Sequence, residues 1–421
     1  MKKIILVQLF LFSFLFLVNA QKVDIDNRFI EVQYAQLPDN FTNPENRTYS
    51  AFVDGSINGS QGNLLNQIRV FGWTPADQST SMVNATVILS SMLSGKASAT
   101  SRTVENKDKD GKVTSRVTYH KVSATNQGTA SLRIYGPVNS FEKYKSAQKD
   151  AEKQREKEEK AKEKAKKKGE RPKVEEENPF LKSVSTTVSE VEEVTKLNDS
   201  GKSFAYNIDL SKNYVYSTDE FTTAIAANKE FNLNAEAKLI AHGNTFLQDV
   251  LNDVNHKLNY YYGFKPVRIK DKFKILDSKD HPENKNFNNA MQAVEVIFGK
   301  MRYNQSIDVI AKDIEPIIAY FDGITKKLQK SEDKHEKKLR AACYYNLGQI
   351  YYYLDQQDKV IEIGNKIIES KHDEDDGEDF IKKANKILDH LSFLNMKSRH
   401  IVPQNPSDEK EETVELTTTT P

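Results

Sequence analysis

The stretch Tyr344-Tyr345-Asn346-Leu347-Gly348-Gln349-Ile350-Tyr351 sets a helical period. Tyr344, Leu347 and Tyr351 recur three and four residues apart and mark one face of a helix. Tyr345 and Tyr352 are seven apart and share another face. A second stretch aligns with the first without a gap, 53 residues earlier: Val294-Glu295-Val296-Ile297-Phe298 lies over Leu347-Gly348-Gln349-Ile350-Tyr351. Nine residues beyond Phe298 comes Ile307, and nine beyond Tyr351 comes Val360; Ile314 and Ile367 follow seven later. Each unit predicts a helix, a polar turn (Asn304-Gln305-Ser306, then Asp355-Gln356-Gln357) and a second helix. Such a pair buries its apolar face only by stacking on neighbours.

Residues 344–351 resemble a tetratricopeptide repeat. The family's aromatic, Leu-Gly and Tyr positions are met by Tyr344, Leu347, Gly348 and Tyr351. Val360 stands where the family prefers Ala, Gly364 where it prefers an aromatic, and His372 where it closes on Pro. The upstream copy has Glu295 in place of the Gly, and the 53-residue spacing exceeds the family's ~34. The resemblance covers about 290–395. It implies a concave groove on the inner face of the first helix, with Ala342, Tyr345, Gln349 and Tyr352 as its lining. Gly348 is expected to let the paired helix approach.

Helical periodicity reaches back to about Asn234, where Leu247, Val250, Leu251, Val254, Leu258 and Tyr261 mark one face and Gly263 and Pro266 end it. Lys272 to Asp277 reads as a short strand or an extended connector. Upstream of about Ser140 the pattern is β. Runs such as Phe29–Tyr34, Thr48–Val53, Val83–Met92, Val113–Val122 and Ala130–Tyr135 are separated by Gly, Asn, Asp and Pro. Strands at this spacing predict a sandwich-like domain.

Phe141 to Glu177 holds 14 Lys or Arg and 11 Asp or Glu in 37 residues. Its oriented i,i+4 pairs Glu156–Lys160, Glu158–Lys162 and Glu163–Lys167 favour an exposed helix, and it lacks the leucine seam of a coiled coil. Strand character returns over Val184–Val194 and Phe204–Leu210. The predicted class is α+β and multidomain. A β-sandwich-like domain spans 21–140, with a charged helical insertion or linker at 141–178 and the remaining strands at 179–233. An all-α tetratricopeptide-like domain follows at 234–398, then a disordered tail at 399–421 rich in acids and Thr.

Met1 to Ala20 has a Lys2-Lys3 start, an apolar run over Ile4–Val18 and small residues before Gln21, the three parts of a cleavable export signal. The expected location is the periplasm of a Gram-negative bacterium, with the cell surface or medium second. No later segment approaches 18 apolar residues, so no membrane span is expected in the mature chain. Lys plus Arg is 61 against 60 for Asp plus Glu, which supplies no general field for nucleic acid. Cys343 is the single Cys, so no intramolecular disulfide forms, and its helical setting predicts an inert buried thiol.

The chemical motifs are sparse. Asn106-Lys107-Asp108-Lys109-Asp110-Gly111 starts like a calcium loop, but its twelfth position is Val117, and an Asp-Gly hairpin turn accounts for it. The acids of His372–Asp379 suit the positive start of the last helix, with Glu378 and Asp379 as the residues facing it. The eight His make no metal-binding pattern, and no phosphate loop or nucleophile elbow occurs. No catalytic residue, metal or cofactor is therefore expected. Trp73, Tyr260 and Tyr262 are candidates for stacking on a sugar, with Trp73 alternatively a core residue. The expected function is a non-enzymatic protein-binding scaffold or adaptor of the bacterial envelope, acting through the helical groove. The alternatives are a carbohydrate-binding protein using the β-domain aromatics, or a hydrolase whose site no motif reveals.

Overall fold

The computed structural model describes residues 22–57, 64–167 and 203–401. The expected export signal, the Val184–Val194 run and residues 402–421 lie outside them. The described chain is a mixture of helices and several sheets, within the α+β class. In order, the strands are β1 (Ile25–Ala35), β2 (Thr48–Asp54), β3 (Thr74–Pro75), β4 (Val83–Leu89), β5 (Ser98–Lys107), β6 (Val113–Gly128), β7 (Ala130–Tyr135), β8 (Phe204–Asp209), β9 (Lys212–Ser217) and β10 (Pro266–Leu276). The helices are α1 (Phe141–Lys167), α2 (Ala224–Tyr261), α3 (Asn284–Phe298), α4 (Asp308–Lys327), α5 (Lys334–Tyr353), α6 (Gln357–Glu369) and α7 (Glu374–Phe393). Two compact units result. One joins Met1–Leu37 to Lys265–Pro421, and the other is Pro38–Phe264.

In the unit Pro38–Phe264, one sheet runs β3-β2-β4-β7-β8. β2 is parallel to β3 and β4, and the remaining pairs are antiparallel. A second sheet is built on β6, which pairs with β9, β5 and the short strand Leu93–Ser94. The predicted sandwich-like packing is incomplete, because α2 supplies much of the opposing apolar face. Its Phe246, Val250 and Val254 share a core with Val87, Leu132 and Ile134 of the first sheet. The expected boundary at 233/234 therefore falls inside one continuous helix. Periodicity revealed the apolar stripe of α2 but carried no information on which layer it covers. β5 and β6 form the hairpin expected around Asp108-Lys109-Asp110-Gly111, and Asp108 Oδ1 accepts from the backbone N–H groups of Asp110 and Lys112. The charged segment is helical as α1, with the expected Glu156–Lys160 pair at 3.7 Å.

In the other unit, β1 pairs antiparallel with β10 along its whole length, from Ile25↔Leu276 to Ala35↔Pro266. β1 was expected in the β domain. It belongs instead with the helices, and the connector expected at 272–277 is the end of a full strand. Helices α3 to α7 follow, each packed on the next. One core runs through ribbon and helices, including Phe273, Phe287, Phe298, Phe321, Ile350 and Phe380. A Cβ at Gly348 would lie 2.9–3.1 Å from the Phe380 ring, so this glycine admits α7 rather than the paired helix α6. Gly364 and Gly377 do the same for α6 against α7, since a Cβ on either would meet the other's carbonyl oxygen at 2.8 or 2.6 Å. An aromatic at position 364 has no room. The first turn of α7 carries Glu374, Asp375 and Asp376, so the acids beside its positive end precede the expected Glu378 and Asp379. Asp379 pairs with Lys383 at 2.6 Å instead.

Arg399 was expected at the start of a disordered tail, yet it is 2% exposed. Its guanidinium donates to Asp355 Oδ1 at 2.6 Å and to the Tyr352 carbonyl at 2.6 Å, and lies over the rings of Tyr34 and Tyr352 at 4.5 and 4.6 Å. Its own carbonyl accepts from Ala35 N–H. The segment thus ties β1 to the α5–α6 turn, where Asp355 holds a left-handed φ of 57°. Removing one partner of a buried pair strands the other charge, at about 3–5 kcal/mol. Arg399→Ala is expected to lower the unfolding free energy of this unit by that amount in denaturant titrations.

Next to it, His400 donates through Nδ1 to the Arg302 carbonyl at 2.9 Å. Burial pushes its pKa below the ordinary 6.5, outweighing that carbonyl and Asp355. Below pH 6.5 the unfolded chain therefore binds more protons than the folded one. The contribution is complete above that pH and declines as the pH falls. Tm should drop between pH 7.5 and 5, and His400→Asn should make the drop smaller.

Candidate functional site

Helix α5 begins at Asp333, whose carboxylate accepts from the N–H groups of His335 and Glu336. From Leu339 to Ile350 every residue is buried. The four expected groove positions lie on this helix, and the chain's own ribbon lies against part of that face. Asn346 Nδ2 donates to the Lys274 carbonyl at 2.9 Å, and its Oδ1 accepts from Lys274 N–H at 2.8 Å. Gln349 Nε2 donates to the Lys272 carbonyl at 3.0 Å. Tyr353 hydrogen-bonds Asp271. Side-chain amides one helical turn apart thus meet backbone groups two residues apart on β10, as a neighbouring strand would.

The expected groove positions therefore divide. Gln349 is sealed under β10, and Tyr352 is half-buried against Arg399. Ala342 and Tyr345 line a small pocket of about 170 Å³ at the start of this face, together with Ile25, Ile367 and charged residues from three elements. Tyr345 is 8% exposed, its ring edge-on to Phe380 at 5.3 Å and beneath the ammonium groups of Lys272 and Lys274 at 5.3 and 4.9 Å. Burial pushes its phenol well above the usual 10.

The charged rim of this pocket is Lys274, Lys338, Asp373 and Asp376. Asp373 is in contact with His372, 3.1 Å from its Nδ1. The carboxylate of Asp376 and the ammonium groups of Lys274 and Lys338 make no ion pair with one another. Burial raises the Asp376 carboxyl above its usual 3.8, and burial, with Lys272, lowers Lys274 below 10.5. Both groups are partly buried, the condition in which an incoming opposite charge gains most.

The aromatics expected to stack on sugar do not form a platform. Trp73 is buried, its Nε1–H donating to the Tyr262 carbonyl at 2.7 Å and its ring edge-on to Tyr262 at 5.7 Å. Tyr262 is buried too, with its hydroxyl donating to the Pro137 carbonyl at 3.0 Å. Of the three only Tyr260, 40% exposed, faces solvent. Cys343 is fully buried and burial pushes its thiol well above 9.0, so it carries no nucleophilic role. Among the described residues no group of three or more His, Cys, Asp or Glu is placed to hold a metal ion, and no helix is long and apolar enough to cross a membrane. Two residues that matter were not singled out from sequence, Asn346 and Arg399. The available signal for Asn346 was an amide surrounded by apolar residues inside a helical stripe.

Comparison with protein-family models, curated proteins and solved structures gives no match for the chain.

The amide contacts to β10 define a test. Asn346→Leu removes the partners of Lys274 N–H and C=O, about 1–3 kcal/mol for each buried group left unpaired. Hydrogen exchange at Lys274 is expected to quicken by at least tenfold relative to amides in α4, measured on the folded protein.

Proposed function

We propose that the chain is an exported, non-enzymatic binding scaffold of a bacterial envelope, acting in the periplasm. Its tetratricopeptide-like helical run is already filled along most of the inner face by its own β1–β10 ribbon. The partner-binding part is the short remainder of that face, where Ala342 and Tyr345 line the charged pocket. The observation carrying this reading is the placement of Lys274 and Lys338 in one small pocket with Asp376, without direct pairing. Opposite charges held apart above an apolar floor suit a short element with both signs of charge. A peptide chain end is the simplest such element: its carboxylate meets the lysines, and a neighbouring cationic group meets Asp376.

The reading is tested by recovery of envelope proteins on the immobilised full chain. Lys338→Glu and Asp376→Lys each alter one rim charge and leave the core intact. Recovery of a specific partner is expected to fall at least tenfold with either. Tyr260→Ala, a change in the other unit, is expected to leave it unchanged. Equal recovery by wild type and both rim variants, all folded by circular dichroism, overturns the proposal. Tyr352→Ala is unsuited to this purpose, because that ring packs on Arg399.

A further inference from the structure

The unit Pro38–Phe264 contains a larger cavity that no motif announced. β3 is only two residues long and stops at Pro75, which has no N–H to continue the ladder. The chain then turns away through Ala76, Asp77 and Gln78. The stretch from Asn66 to Arg69 passes close to β2, where the Tyr49 hydroxyl donates to the Ile68 carbonyl at 3.2 Å. Between these walls, beside Ser50, Ala51 and Phe52, lies an open cleft of about 590 Å³. That is within the range of small-ligand sites, ~300–1,000 Å³.

The lining has a consistent chemistry. Its charges are a single Arg69 and a single Asp77, so it carries no net charge. The polar residues of its lining include the exposed amide of Asn66 and the hydroxyl of Thr86, with Ser50, Gln78 and Asn84 in the wall behind them. A carboxamide presents a donor and an acceptor side by side, the pattern that two adjacent hydroxyls on a sugar ring match. Phe52 is 53% exposed on the same strand, and its register partner is Thr86. A bare aromatic face beside amides provides a platform for the C–H face of a pyranose. The wall is rigid before any ligand arrives. Asn84 accepts from the hydroxyls of Ser50 and Ser81, and its Nδ2 donates to the Gln78 carbonyl at 3.2 Å. A preorganised polar wall lowers the ordering cost of binding.

We propose that this cleft binds a neutral oligosaccharide, with Phe52 as the stacking residue and Asn66 as a hydroxyl-reading amide. An extended peptide added to the edge of β2 is the competing occupant. Strand addition gains its affinity from repeated main-chain bonds. Tyr49 O accepts from Ala76 N–H, so by the two-residue alternation Ala51 and Val53 direct their backbone groups outward. Val53 is 3% exposed, which leaves that edge accessible only near Ala51. One accessible residue is too little for a strand, whereas the side-chain lining is open.

The test uses the full chain and titration calorimetry against cellohexaose, xylohexaose, mannohexaose and maltohexaose, with a hexapeptide of alternating Thr and Val as the comparison. At least one sugar is expected to bind with a Kd below about 1 mM. Phe52→Ala is expected to weaken it tenfold or more, and Asn66→Ala several-fold. Both side chains are exposed, so both variants are expected to keep the wild-type Tm. Binding of none of the four sugars at 10-fold the ~1 mM scale, binding unaltered in both variants, or binding of the peptide in place of the sugars overturns the proposal.

Discussion

A helix that offers amides to the edge of a strand holds the terminal unit together. β10 has β1 on one side, and its other edge carries backbone groups that must find partners when buried. Asn346 and Gln349 supply them at Lys274 and Lys272. Because the side chains repeat at a helical turn and the backbone groups at a strand's two-residue period, only one crossing of helix over ribbon satisfies both. That crossing fixes where Tyr353 meets Asp271 and where Phe273 enters the core. It also fills most of the inner face that a bare helical repeat leaves open, so the charged pocket at Tyr345 is what the crossing does not cover.

Several buried polar groups in this unit act across long stretches of sequence, among them Asn346, Gln349, Arg399 and His400. Arg399 is satisfied by Asp355, Tyr352 and the rings of Tyr34 and Tyr352, drawn from both ends of the chain. Each such contact costs desolvation and returns it only when complete, which favours one arrangement over slipped alternatives. The cleft in the other unit has a comparable logic on its surface. Asn84 is tied to Ser50, Ser81 and Gln78, so the wall does not depend on a ligand for its shape.

What the sequence disclosed follows from the range of each effect. The helical stripes in α2 and α5, the polar turns and the Asp108–Gly111 hairpin are local, and period or turn chemistry marked them. Gly348 was visible as a place of close approach, but its neighbour, Phe380, was not. The assignment of β1 to the β domain failed because a strand's pattern gives its face and not its partner. The split of α2 between two expected domains failed for the same reason. The groove lining was carried over from the tetratricopeptide resemblance, and the ribbon that lies on Gln349 is invisible without the pairing Ile25↔Leu276. Trp73 illustrates the ambiguity of a lone aromatic, since core and ligand platform place the same demand on residue type.

The terminal unit is discontinuous, with its first strand at Ile25–Ala35 and its partner strand starting at Pro266. During synthesis β1 emerges first and waits while the whole of Pro38–Phe264 is made. The latter is contiguous and is complete as soon as its last helix has left the ribosome. The former acquires its final bonds only when Arg399 arrives. A stalled or prematurely terminated product therefore carries one finished body and a set of unsatisfied pieces, including a strand with two bare edges. Such a strand is a template for association with other chains.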